Sequence, residues 1–507
     1  MNAKRLTLIA LMFVLVTGAC VFAPLAEEAL PQREVTAPVV EDEEQVTLPE
    51  PAEEVEKEAP APLSPDQPTS APPIAQEPMA TPLPSMSARE ESAEGLEAGE
   101  TSIYPQPTAP PPSDNYFDDY GVNPFVDTYE DHLSTFALDV DTASYSVARR
   151  YINDGYLPPA EAVRVEEFVN SFEMGYPKPR DVAFGLYADG APSPFHRDGS
   201  YILRFGVQGY EVPDYARKAA TLTFVIDVSG SMEMENRLGL VKRSLEMLVE
   251  NLDRDDSVAI VVYGSEARTV LGPTNAGDKN TILNAIYGLR TEGATNAEAG
   301  LRLGYDLAWE AYRENTTNRV ILCSDGVANV GATGPDAILE TIRSYVDTGI
   351  TLTTVGFGMG NFNDVLMEQL ADNGDGHYAY VDTLAEAEKL FVEKLTGTLQ
   401  AIALDAKIQV DFNPDVVAYY RLIGYENRDV ADRDFRNDAV DAGEIGAGHS
   451  VTALYAVMLH PGAEGRLATV QLRWEDPETH KVTEINGNLN TWDLAASYGQ
   501  ASARYQL

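Results

Sequence analysis

Between residues 219 and 398 the chain alternates short apolar runs with helical stripes. Residues 222–226, 258–263, 320–323, 351–357 and 378–381 are rich in β-branched and aromatic residues. These are the marks of strands buried on both faces of a parallel sheet. Between them the apolar positions recur at helical spacing. Leu238, Val241, Leu245, Leu248, Val249 and Leu252 share one stripe, which predicts a helix over 237–252. Further helices are predicted over 278–289, 297–312, 336–347, 363–371 and 385–398. Pro335 stands where a first helical turn accepts it, and Gly349 follows as a stop. Strands alternating with helices imply a doubly wound, mostly parallel α/β sheet covered on both faces.

The period differs on either side. Before this unit, residues 134–141 read as a strand, and Thr142 or Ser144 caps a helix ending at Asn153 before Gly155. A second helix follows Pro158-Pro159, with Val165, Phe168, Val169 and Phe172 as its apolar side. Residues 182–187 and 200–207 alternate like antiparallel strands. After Ala401 the period is two again: 406–412, 416–423, 450–459 and 468–474 read as strands. Turns are predicted at Asn413-Pro414, Asp476-Pro477 and Asn486-Gly487. These strands make a poor domain alone, so the expectation is that they pair with those of 182–207, forming a β-sandwich into which the α/β unit is inserted. The division expected is 1–20 signal, 21–115 tether, 116–218 N-terminal α+β segment, 219–398 α/β domain and 399–507 β-rich domain.

The tether follows from composition. Residues 21–115 hold twenty acidic and three basic residues, and nineteen of the chain's 32 prolines. Such a stretch buries too little apolar surface to offset its ordering entropy and is expected to be disordered. A flexible coil of that length spans roughly 60 Å and a polyproline form about 300 Å. A chain of 507 residues with net charge −44 is unsuited to nucleic acid, whose binding needs clustered Lys and Arg. At the N-terminus Lys4-Arg5 precede an apolar run over 6–16 and then Thr17-Gly18-Ala19-Cys20, a secretory signal too short to span a membrane comfortably. It resembles a bacterial lipobox, whose cysteine is acylated and becomes the mature N-terminus. Thr17 departs from that pattern, which prefers Leu there. Cys323 ends an apolar strand and reads as a small buried hydrophobe.

The chemistry gathers where strands end. Residues 223–232 read T-F-V-I-D-V-S-G-S-M: a strand runs into Asp227, then Ser229 and Ser231, before a helix begins. That geometry places side chains in the crevice beyond the carboxyl ends of a sheet, where open α/β folds bind ligands. One carboxylate and two hydroxyls form a hard-oxygen corner suited to Mg²⁺, or to Mn²⁺ or Ca²⁺. Two later loops add T-E-G-A-T-N over 291–296 and V-I-L-C-S-D-G-V-A-N over 320–329. With these, the chain resembles a von Willebrand factor type A domain. The resemblance implies a metal-ion-dependent adhesion site formed by Asp227, Ser229, Ser231, Thr295 and Asp325. It further implies that the serines and Thr295 touch the ion, that Asp227 and Asp325 act partly through water, and that an acidic side chain of a partner protein takes an open position. The stretches D-V-D-T-A-S-Y and A-V-R-V-E-E-F-V-N-S-F resemble the segment before the A domain in the YfbK-type family of bacterial lipoproteins.

Rival chemistries are weaker. The D-V-D of Asp139 to Asp141 resembles the start of haloacid-dehalogenase phosphatases, but Ala143 stands where that superfamily carries Thr or Val. His132, His196, His377, His449, His460 and His480 show no zinc-type spacing. Ser229 and Ser231 lack a partnered histidine motif. The D-N-G-D of Asp372 to Asp375 lacks the further ligands of a calcium loop. The expectation is therefore a non-enzymatic, metal-dependent protein-binding lipoprotein at the cell envelope, periplasmic or on the cell surface. A structural module with a fixed metal and a regulator or assembly factor for a membrane complex are the alternatives.

Overall fold

The structure is a computed structural model describing residues 115–138, 140–180, 182–326, 335–346, 348–359 and 362–506. The expected signal, Cys20 and nearly all of the tether lie outside the described residues. Chain order begins with β1 (Val126–Asp127), β2 (Leu133–Ala137), α1 (Ala143–Asn153), α2 (Val165–Asn170), β3 (Phe184–Pro192) and β4 (Tyr201–Gly209). The α/β unit follows: β5 (Ala220–Asp227), α3 (Arg237–Asn251), β6 (Ser257–Tyr263), β7 (Ala267–Asn275), α4 (Lys279–Gly288), α5 (Ala297–Glu310), β8 (Thr317–Ser324), α6 (Pro335–Val346), β9 (Ile350–Gly356), α7 (Asp364–Asp372) and β10 (Tyr378–Tyr380). Then come α8 (Leu384–Glu388), a π turn at Lys389–Glu393, α9 (Leu395–Leu399), and β11 (Ala401–Phe412), β12 (Val417–Ile423), β13 (Gly443–Gly446), β14 (Ser450–Leu459), β15 (Arg466–Glu475) and β16 (Val482–Asn490).

The central sheet has the order β10-β9-β8-β5-β6-β7. All its pairs are parallel except β6 with β7. Phe224, Ile260 and Ile321 face Val241, Leu245 and Leu248 of α3, whereas Val225, Val261 and Leu322 face Leu301 of α5 and Leu370 of α7. Residues pointing both ways are buried, which is why these strands read as continuous apolar runs. The edge strand β7 went unpredicted because its side chains are mostly half-buried or exposed, leaving no apolar run.

Flanking strands from both sides of the α/β unit share sheets. One has the order β1-β12-β14-β4-β3; the other runs β13-β11-β15-β16, with β2 also paired to β11. β14 pairs antiparallel with β4 from Ser450↔Gln208 to Val457↔Tyr201. Phe205, Val410, Tyr455, Leu472 and Trp474 belong to one core between the sheets.

Two sequence expectations change here. Asn486-Gly487 is no turn: Gly487 pairs with Val470 inside β16, and the chain reverses at 476–481 instead. As β16 pairs with β15 alone, Asn and Gly are tolerated at this edge. In α2 the buried residues are Glu166, Glu167 and Asn170, while Val165 within it and Phe172 just beyond its end are exposed. Arg164 reverses the expected polarity. Its Nη1 lies 3.0 Å from Glu167 and 2.7 Å from Glu368, and its Nη2 lies 3.0 Å from Asp364. Arg428 adds contacts of 2.8 Å to Glu368 and 2.9 Å to Asp372. Helix α7 is thus held by guanidinium groups from both flanks.

Candidate functional site

Asp227 is the last residue of β5 and is fully buried. Its Oδ1 accepts from the Ser229 amide at 2.8 Å, and its Oδ2 accepts from Ser324 Oγ at 3.1 Å. Ser229 and Ser231 hold their hydroxyl oxygens 3.0 Å apart. Asp325 follows β8 directly and is 4% exposed. The parallel register of β5 and β8, with Ile226 opposite Cys323, brings the two strand ends to the same edge of the sheet.

Thr295 lies in the loop before α5, half-buried and next to the helix cap Asn296. This loop is tied to the first by two backbone bonds: Glu292 donates to the Val228 carbonyl, and Gly230 donates to the Gly293 carbonyl at 3.2 Å. Asp227, Ser229, Ser231 and Asp325 thus converge on one crevice, with the Thr295 loop fastened beside them.

Burial raises Asp227 from the ordinary carboxylate range to about 6, and the like charge of Asp325 adds to the rise; the hydrogen bonds from Ser229 oppose it. Two buried carboxylates on one crevice favour a cation there. The donors are hard oxygens, carboxylate and hydroxyl, which matches Mg²⁺ better than a soft metal. The residues present therefore fit a divalent ion.

Arg237 was missed in the sequence. It opens α3 and lies 2.6 Å from Asp325 through Nη1, while Nη2 donates to the Met359 carbonyl. Gly358 makes room for it: at φ +89° a Cβ there would stand 2.2 Å from Arg237 Nε. The available signal was that Arg237 is the single basic residue between Asp227 and Val241. Ser324 and Tyr263 were missed as well. Burial, then the Asp227 charge, pushes up the phenol of Tyr263, the register partner of Asp227 on β6, so it stays protonated beside the aspartate.

Two further clusters involve none of these residues. Asp375, from the D-N-G-D stretch, lies with Asp441 and Glu444 so that one carboxylate oxygen of each is within 4.8 Å of the others. His377 and His449, unremarkable by spacing, bring their ring centroids to 6.4 Å. Cys323 is buried, and burial pushes its thiol up.

The family model for the von Willebrand factor type A domain matches residues 221–393. That described as "Uncharacterized protein YfbK, C-terminal" matches 397–466, and one described as "von Willebrand factor" matches 111–203. Over 352 residues the chain is 39% identical to the uncharacterized protein YfbK of Escherichia coli, covering 68% of this chain and 60% of that one. The chain belongs to the YfbK-type von Willebrand factor type A proteins. It spans under two thirds of the length of the E. coli relative. An uncharacterized protein of Synechocystis is 26% identical over 57% of this chain and 69% of its own length. Human inter-alpha-trypsin inhibitor heavy chain H3 is 28% identical over 40% of this chain and 23% of its own. Among solved structures, a von Willebrand factor type A protein from Catenulispora acidiphila has a TM-score of 0.39 at 16% identity, covering 61% of this chain and 73% of that one. The A domain is of a kind that generally mediates protein–protein interaction and often holds a divalent metal.

Proposed function

We propose that the chain is a non-enzymatic lipoprotein of the cell envelope, periplasmic or cell-surface, whose A domain binds a protein partner through Mg²⁺ held by Asp227, Ser229, Ser231, Thr295 and Asp325. The observation that carries this reading is the buried pair of carboxylates, Asp227 and Asp325, at the carboxyl edge of the sheet with the Ser229 and Ser231 hydroxyls beside them. Ser229 and Ser231 offer neutral oxygens to the ion. Asp227 supplies charge, and Asp325 divides its own between the ion and Arg237. With few direct carboxylates the ion stays electrophilic, and a Glu or Asp of the partner completes its shell.

Charge makes the ion useful in a second way. A chain of net charge −44 repels acidic partners at long range. A local divalent cation supplies the attraction that the rest of the surface lacks. Cys20 serves as the acylated anchor, and the acidic stretch 21–115 links it to the rest of the chain.

Capture from an envelope extract tests the reading. The partner is retained by the wild-type chain in Mg²⁺, released by EDTA and restored by adding Mg²⁺ back; Asp227→Ala retains none. Retention that is indifferent to EDTA and to Asp227→Ala contradicts metal bridging.

A further inference from the structure

A small cavity lies where the A domain meets the C-terminal strands. Its volume is about 60 Å³. His377 and Tyr380 wall it from the A domain, Lys389 and Lys394 from the broken helix, and His449 and Ser450 from the C-terminal part. The two imidazoles stand edge to face. Nε2 of His377 and Nδ1 of His449 are buried and have no hydrogen-bond partner among the described residues. Leaving a buried polar atom unpaired costs about 1–3 kcal/mol. Two such atoms on one small cavity point to a guest that bonds both.

The charged side chains that line the cavity are two lysines, Lys389 and Lys394, and one carboxylate, Glu386. Lys389 donates to the Ser171 carbonyl at 3.0 Å and lies 3.8 Å from Glu386, whose carboxylate is already held by Arg149 at 2.9 Å. Lys394 has no hydrogen-bond acceptor among the described residues, although Glu173, Glu386 and Glu393 lie near enough to act on its charge. Arg319, 5% exposed, donates through Nη1 to Thr353 Oγ1 and the Thr398 carbonyl, and its Nε is unpaired. A metal ion would suit two imidazoles alone, but Lys394 and Arg319 repel it. Hydrogen-bonding imidazoles lined by two lysines and one carboxylate that Arg149 already holds suit an anion.

Lys394 occupies an unusual place in the chain. The π turn Lys389–Glu393 ends there, at φ −105° and ψ 16°, so the single helix predicted over 385–398 is divided. Such turns commonly re-aim side chains at functional sites. A cleft of about 1100 Å³ shares Asn170, Lys394, His449 and Ser450 with the cavity and supplies a way in from solvent.

We propose that this junction binds a small oxyanion, a phosphate or carboxylate group, between His377, His449 and Lys394. None of the five residues of the proposed metal site lines this cavity. Burial, then the charges of Lys394 and Arg319, holds His449 down at about 3; burial and the Arg319 charge hold His377 well below its usual range. Both rings are neutral at pH 7. A bound anion offsets those cations and favours the imidazolium form, so binding takes up protons and tightens as pH falls. Of the other titratable groups lining the cavity, Tyr378 and Tyr380 stay protonated and Glu386 keeps its Arg149 partner; beyond the lining, Glu173 and Glu393 act on Lys394, and Glu444 and Asp375 on Arg319.

The test uses the full chain in EDTA, with ¹³C,¹⁵N-histidine labelling and assignment through His377→Gln and His449→Gln. Inorganic phosphate, acetate and sulfate are titrated separately, with chloride as control. The sulfate arm is repeated from pH 7.5 to 5, since sulfate does not itself titrate there. The expected result is saturable movement of both ring signals with phosphate or acetate but not chloride, tighter sulfate binding at lower pH, and at least tenfold weaker binding in Lys394→Gln. The phosphate and acetate arms distinguish the two ligand classes. If none of the anions moves either ring in the wild type, the cavity holds water only and the proposal fails. Equal affinity in Lys394→Gln also overturns it.

Discussion

Arg237 and Asp325 form a buried ion pair, Nη1 to Oδ2 at 2.6 Å, with the two side chains 4% and 5% exposed. The pair gives the crevice a resident cation. It also ties the end of β8 to the loop after β9, since the same guanidinium bonds the Met359 carbonyl. In the proposed metal site Asp325 would therefore face two cations, the Arg237 guanidinium and the bound ion.

Arg237→Ala leaves Asp325 buried without its partner, a loss of about 3–5 kcal/mol in metal-free protein. Mg²⁺ can supply part of the missing charge. Scanning calorimetry in EDTA and at saturating Mg²⁺ should show a larger gain in Tm on adding metal for Arg237→Ala than for the wild type. Equal gains would mean that the guanidinium and the ion do not act on the same carboxylate.

Asp364 gives a pH dependence of known sign. Burial raises it to about 6, with Arg164 opposing the rise and Glu368 adding to it. The folded chain thus holds this proton more tightly than the unfolded chain, so the contribution of Asp364 to stability falls as pH rises from about 4 to about 6. Denaturant melts of wild type and Asp364→Asn across that window should show the wild type losing, relative to the variant, on the order of 2–3 kcal/mol. A pH-independent difference would mean that Arg164 keeps Asp364 ionised throughout.

The flanks should not fold apart from one another. β14 lies between β12 and β4, so a fragment of 399–507 exposes the edge that β4 covers and half of the shared core. That fragment should show no cooperative melt, and 115–210 supplied in trans should restore one. A fragment of 219–398 should melt cooperatively by itself. A cooperative melt from 399–507 alone would contradict the shared core.

Cys20→Ser tests the anchor. The substituted protein should move from the membrane fraction to the soluble fraction, and labelled fatty acid should no longer be incorporated. A wild-type chain that is already soluble and unlabelled would remove the lipid anchor from the account.

The parallel sheet was legible because its strands are buried on both faces. Val225 and Phe224 point to opposite layers and are both apolar, so no alternation disguises the strand. Asp227 and Asp325 were legible because each interrupts such a run at its carboxyl end. β7 and β16 were obscure for the opposite reason: edge strands with exposed or polar side chains lack a periodic signal. Helix α2 misled because hydrophobicity assigns Phe172 inward, whereas Arg164 and three acidic partners make a buried charge cluster more favourable. Arg237 and the pairing of His377 with His449 depend on contacts distant in sequence, which no local spacing encodes.

Calorimetric titration of Mg²⁺ into the wild type, Ser229→Ala, Thr295→Ala and Asp227→Ala tests the central claim most directly. None of the substitutions removes apolar core, so far-ultraviolet circular dichroism should be unchanged. Mg²⁺ tolerates poor octahedral geometry badly. The wild type should bind one ion, Ser229→Ala should bind more weakly and saturate at higher Mg²⁺, and Thr295→Ala should keep much of the affinity while losing partner capture. Asp227→Ala, which loses a full charge, should show no heat of binding at that site. If Asp227→Ala binds Mg²⁺ as tightly as the wild type, the three loops are ordinary turns and the metal-dependent reading is wrong.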